Sequence, residues 1–208
     1  MLRTRLENFA RKAKEHLEDR YRAWRGSSPP APVTPAETVA PAEPPAPPKQ
    51  IRWELRSQAE LVNHIEQHFH AGLRRDLPLL IDAARAVERA HAAHASVPAG
   101  LADHLEELFA QLDSHMLKEE QILFPTLRTG ARGGPIDMPI RMMEREHDDH
   151  DAGLATIRTL TADLVAPPDA PPAWQNLYAG LTTLETDLRQ HIYLENNVLF
   201  ARALGGEY

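Results

Sequence analysis

The chain has no cysteine. That absence removes disulfides, thiolate zinc sites, Cys-ligated iron–sulfur clusters and thiol nucleophiles together, so any metal must be held by nitrogen and oxygen. Aromatic residues are scarce at 6% and the β-branched strand formers nowhere cluster, whereas Ala, Leu, Glu and Arg abound, which favours helices over sheets. No apolar run is long enough for a membrane span or a signal-peptide core; no transmembrane segment is expected, and the default address is the cytoplasm. A basic excess is missing too. The formal net charge is −7, so no nucleic acid is expected as a partner, because phosphate contacts need a basic face. What stands out instead is histidine: there are eleven in 208 residues, in a chain whose 42% hydrophobic content suffices for a real core.

Three segments follow from composition. Residues 1–25 carry eight Lys/Arg and four Asp/Glu, with Leu2, Leu6, Phe9, Ala13, Leu17 and Trp24 at helical spacing; this predicts a separate N-terminal amphipathic helix. Residues 26–50 hold nine of the 18 prolines and read as a Pro/Ala-rich flexible linker. Residues 51–208 read as helices punctuated by turn signals. They are placed at about 57–92 with a bend at Pro78, 101–127, 138–164 and 173–203. Four long helices with short connections predict an all-α, up-down-up-down four-helix bundle.

One phrase occurs twice: HMLKEEQILFP from His115 to Pro125 and HIYLENNVLFA from His191 to Ala201. Residues four apart on a helix differ by about 40° in direction and about 6 Å along the axis, so His115 with Glu119, and His191 with Glu195, each reach one point. Leu112, Met116, Leu123 and Phe124 flank the first pair, and Leu188, Ile192, Val198 and Leu199 the second, so both pairs border the core. Inward carboxylates beside inward imidazoles need a cation to compensate them. Counting residues from the helix ends puts His147 on the third helix, and His70 on the first, at the same level. The competing reading is a structural bundle whose His and Glu form hydrogen-bonded pairs. Leu123, Phe124, Leu199 and Phe200 read as core packing, His64 and His68 as a solvated face, and His16, His94, His104 and His150 as exposed.

With these residues in hand, SHMLKEEQILFP (114–125), EREHDDH (144–150), HIYLENNVLFARAL (191–204) and VERAHAAHASVPAGL (87–101) resemble the hemerythrin-like domain of the iron–sulfur cluster repair di-iron proteins, the repair of iron centres family, over roughly 57–205. The resemblance implies a hemerythrin-like bundle holding two non-haem iron ions, oxo- or hydroxo- and carboxylate-bridged. It makes Glu119 and Glu195 the bridging carboxylates and His70, His115, His147 and His191 the terminal ligands. It also implies protection or repair of clusters damaged by nitric oxide or oxidative stress, with NO or O2 as small ligands and damaged iron–sulfur proteins as iron recipients. A hemerythrin-like O2/NO carrier or sensor is the alternative. His91 matches a histidine common in that family, yet it lies 21 residues beyond His70, about 31 Å along a continuous helix; only a hairpin near 76–78 would bring it in. The family's usual N-terminal Cys-containing domain is missing. In its place the 1–25 helix is expected to dock to a partner chain, since Glu7, Glu15, Glu18 and Asp19 weaken a membrane reading.

Overall fold

The computed structural model describes residues 52–205; the expected N-terminal helix and linker lie outside them. Helix α1 (58–90) starts at a capping box, in which Ser57 Oγ accepts from Glu60 N–H at 3.2 Å and Glu60 Oε2 accepts from Ser57 N–H at 2.9 Å. It runs unbroken through Pro78 and stops at Ala90, with His91 as its cap. Helix α2 (101–127) follows Gly100, whose φ of 85° needs a residue without a side chain. Helix α3 (Asp137–Leu160) follows a short 3-10 turn, Gly134–Ile136. Helix α4 (172–203) opens with Pro172 in its first turn, where a missing N–H costs nothing. α1 packs against α2 and α4, α2 against α3, and α3 against α4, closing a ring of four. Among the described residues there is no strand, and no helix is long and apolar enough to cross a membrane.

Two departures from regular α-helix matter. The third helix ends four residues before the predicted 164: Ala162, Asp163 and Leu164 all take positive φ, at 49°, 59° and 61°. Thr161 makes the stop, since its hydroxyl donates to Ile157 O at 2.7 Å and accepts from Leu164 N–H at 3.1 Å. The other departure is a π-helical segment in each of three helices: Ile65–His70 in α1, Glu119–Leu123 in α2 and Glu195–Phe200 in α4. Each extra residue in a widened turn rotates everything after it back by about 100°. In a straight helix the Phe nine positions after His115 or His191 points away from it. With the π turn in between, Leu123 and Phe124 are both buried, and so are Leu199 and Phe200.

The core is split in two. One apolar cluster holds Leu73 to Val87 of α1, Leu101 to Met116 of α2, Leu154 and Ile157 of α3 and Trp174 to Ile192 of α4. The other holds Leu61 to Phe69, Leu123 to Leu127, Ile140 and Met143, and Leu194 to Ala203. On every helix the break between them falls at the same height. It falls at His70, at His115 and Glu119, at His147, and at His191 and Glu195.

Candidate metal centre

All six of these side chains are buried, Glu119, Glu195 and His70 at 0% exposure. They form two groups of four whose ligand atoms lie within 4.8 Å of one another: His70, Glu119, His191 and Glu195 in one, and His115, Glu119, His147 and Glu195 in the other. The two carboxylates belong to both groups. In the first, His70 Nε2 is 3.1 Å from His191 Nε2 and 3.4 Å from Glu119 Oε2, and His191 Nε2 is 2.9 Å from Glu195 Oε1. In the second, His115 Nε2 is 3.1 Å from His147 Nε2 and 3.5 Å from Glu119 Oε2, and His147 Nε2 is 3.1 Å from Glu195 Oε2.

A further layer fixes which nitrogen faces inward. Outside the six, His70 Nδ1 lies 2.8 Å from Glu120 Oε1, a carboxylate that Arg74 grips at 2.6 and 3.2 Å. His115 Nδ1 lies 3.0 Å from Glu146 Oε2, which Lys118 holds at its other oxygen, and His147 Nδ1 lies 2.8 Å from Asn196 Oδ1. The carboxylates of Glu120 and Glu146 require Nδ1 of His70 and His115 to donate, and the amide oxygen of Asn196 accepts from Nδ1 of His147, which leaves the Nε2 lone pairs pointing inward. The Nε2 atoms of His115 and His147, 3.1 Å apart, are then two acceptors face to face. Only an electrophile between them, a proton or a metal ion, removes that conflict.

The aromatic layer explains the doubled Leu-Phe. Phe124 of α2 stacks on His70 of α1 at 5.6 Å and 18°, and Phe200 of α4 stacks on His147 of α3 at 6.0 Å and 5°. Each copy of the phrase therefore supplies a His–Glu pair on its own helix and a ring that supports a histidine on a neighbouring one. Phe69 does the same for His191, at 5.4 Å and 9°.

Charge in the metal-free site is compensated by protons. Burial opposes the charged form of His70, but Glu119, Glu120 and Glu195 outweigh it and raise the pKa to about 9. At His147 burial is likewise outweighed, by Glu195 and Glu119, giving about 9. Burial prevails at His115, which falls to about 3, and lowers His191 as well. Burial and the neighbouring Glu195 push the Glu119 carboxyl upward. Glu195, against its own burial, is held well below the usual carboxylate range by His191 and His147. Both Glu119 oxygens are buried without a hydrogen-bond partner, a costly condition that a bound cation relieves. Nitrogen and carboxylate oxygen donors suit first-row metals such as iron and manganese, so the residues present fit a pair of such ions.

Several residues here were not foreseen. Glu120, Glu146 and Asn196 each sit beside a predicted ligand in sequence, and Arg74 lies one turn after His70, so their position was the available signal. His150 corrects the expectation of an exposed side chain: it is 2% exposed, its ring lies 4.9 Å from that of His115, and its Nδ1 has no partner. Burial, with the neighbouring histidines adding to it, lowers its pKa to about 3. It lines a groove of about 640 Å³ between α2 and α3, together with Gln111, Ser114, Lys118, Glu146 and Asp149. His104 is half-buried rather than exposed and donates to Gly153 O at 2.9 Å. His94 is half-buried as well, 3.2 Å from Asp169. His91 packs against Trp174 at 5.2 Å, at the far end of α1, since no hairpin interrupts that helix.

Residues 59–203 match the profile of the hemerythrin HHE cation binding domain. The chain is 46% identical over 155 residues to the iron-sulfur cluster repair protein YtfE of Citrobacter koseri, covering 74% of this chain and 70% of that one. It is 44% identical over 161 residues to the YtfE of Musicola paradisiaca, covering 77% and 72%, and 46% identical over 155 residues to that of Escherichia coli O157:H7, covering 74% and 70%.

Proposed function

The chain belongs to the hemerythrin HHE cation-binding family, and on that premise we propose that it is an iron–sulfur cluster repair protein working through two iron ions held by the six buried side chains. The observation that carries this reading is the pair of four-residue groups sharing Glu119 and Glu195, together with the similarity to proteins named for that repair. Glu119 and Glu195 would be shared by the two ions, with His70 and His191 holding one and His115 and His147 the other. When bound, the two ions would supply exchangeable iron and open coordination positions for a diatomic such as nitric oxide or oxygen.

The chain's own residues do the rest. Glu120, Glu146 and Asn196 keep three imidazoles in the tautomer that presents Nε2 inward. Phe69, Phe124 and Phe200 hold three of the rings from behind, and the two apolar clusters shut water out from above and below. The groove between α2 and α3 is lined by His150 and by Glu146, the partner of His115, so open space lies close to the polar layer there. In this reading residues 51–208 are the working domain, 26–50 a tether and 1–25 a helix that docks to a partner chain, with the cytoplasm as the compartment and damaged iron–sulfur proteins as recipients.

The test is restoration of a nitric-oxide-inactivated [4Fe–4S] hydratase by the iron-loaded protein, with iron counted on both partners. Recovery of hydratase activity matched by iron loss from this protein is expected, and Glu119→Ala and Glu195→Ala should abolish it. Reversible binding of the diatomic with all iron retained would favour the carrier or sensor instead.

A further inference from the structure

Three of the four inward histidines have a phenyl ring stacked on them, but the stacks end differently. Those on His70 and His147 finish at Phe124 and Phe200, both at 0% exposure. The stack on His191 continues outward. Phe69 meets His64 edge to face at 5.4 Å, and His64 stacks on Trp53 at 4.3 Å and 25°. Trp53 and His64 are both half-buried, and the neighbouring His68, 5.2 Å from His64, is exposed. This file of rings runs from a histidine of the centre towards the surface.

We propose that this file is a single-electron route, with Trp53 as its outer, redox-active end and His64, Phe69 and His191 as the bridge to the metal centre. The inference rests on the metal-binding reading above. Tunnelling falls steeply across gaps between non-bonded atoms, and rings in contact leave the smallest gaps. Of the four rings the indole is the easiest to oxidise, whereas phenyl and imidazole serve only as bridges. Burial and the nearby His68 lower the His64 pKa, so that ring is neutral at pH 7 and does not repel a positive charge on Trp53. His191 is also the one histidine of the four whose Nδ1 has no hydrogen-bond partner, which leaves the Phe69 ring stacked at 5.4 Å as its contact on this side.

The step is a one-electron oxidation of Trp53. Reduction of a peroxide to two waters takes two electrons: bound iron would supply one, and the Trp53 indole supplies the other. Two protons from solvent complete the reduction of peroxide to two waters, and the oxidised indole gives its Nε1 proton to solvent. The route would spare the metal ligands from oxidation by moving the damage to the surface.

The test treats the iron-loaded full chain with hydrogen peroxide and reads an indolyl radical by electron paramagnetic resonance and oxygen addition at Trp53 by peptide mass spectrometry. Several-fold more Trp53 product is expected in the iron-loaded than in the metal-free protein. His64→Leu should cut that product at unchanged iron content, and Trp53→Phe should remove the radical. His64 is the residue to vary because its ring meets Phe69 and Trp53 and none of the six site residues. Equal Trp53 oxidation with and without iron, or no effect of His64→Leu, overturns the route while leaving the metal site standing; a protein that takes up no iron overturns both.

Discussion

At the residue scale the chemistry depends on groups that hold the ligands as much as on the ligands. Glu120 fixes His70 and is itself fixed by Arg74, which also binds Asp113 at 2.8 Å. Exchanging it for Gln keeps the shape but removes the charge that commits His70 Nδ1 to donating. We predict that Glu120→Gln weakens iron affinity about 10–100-fold in chelator competition, with the helical content unchanged. A pH effect follows from the protons that stand in for metal. His70 and His147 have folded pKa values raised to about 9 from an ordinary 6.5. Their contribution to stability is therefore full below the unfolded value and is lost as pH rises through the folded one. The metal-free protein should melt at a lower temperature at pH 9 than at pH 6.5. The iron-loaded protein, whose imidazoles carry metal instead, should not show that fall, and metal uptake at pH 7 should release protons.

That these six side chains converge was legible because the sequence repeats itself: two His–Glu pairs with the same flanks, and two histidines at matching heights. His150 was not, because three residues from His147 its direction looked like solvent. The signal was Gly153, which lets α2 come close enough for His104 to reach its carbonyl and for a Cβ there to lie 3.0 Å from Leu108 Cδ1. Packing from a neighbouring helix, which periodicity on one helix does not report, buried His150.

At the scale of the element, the helices are placed within a few residues of their predicted bounds, because caps and prolines mark them. The π segments have no such marker. Those in α2 and α4 arise where the bundle must present a His–Glu pair and, one turn on, a Leu-Phe pair to the same side; 3.6 residues per turn does not allow it. The left-handed turn after α3 was equally hidden, since none of its three positive-φ residues is glycine. That turn should store strain of about 1 kcal/mol per residue. Ala162 is exposed, and Ala162→Gly is expected to raise the melting temperature by about 2–4 °C, the reverse of the usual effect of glycine. A fall in scanning calorimetry would mean that the strain is absent.

Across the whole molecule, two apolar clusters close on one polar layer, and that layer contains buried carboxylate oxygens without hydrogen-bond partners. The metal-free bundle is thus stable in its halves and frustrated at its middle. Under the proposed function, two cations belong in that layer. The most direct measurement is the iron content of the full chain after anaerobic loading with ferrous iron and desalting. About two ions per chain are predicted, as carboxylate-bridged bundles hold, falling to about one or fewer in Glu119→Ala and Glu195→Ala with helicity retained. A full chain that retains no iron, or variants that retain as much as the parent, would contradict it.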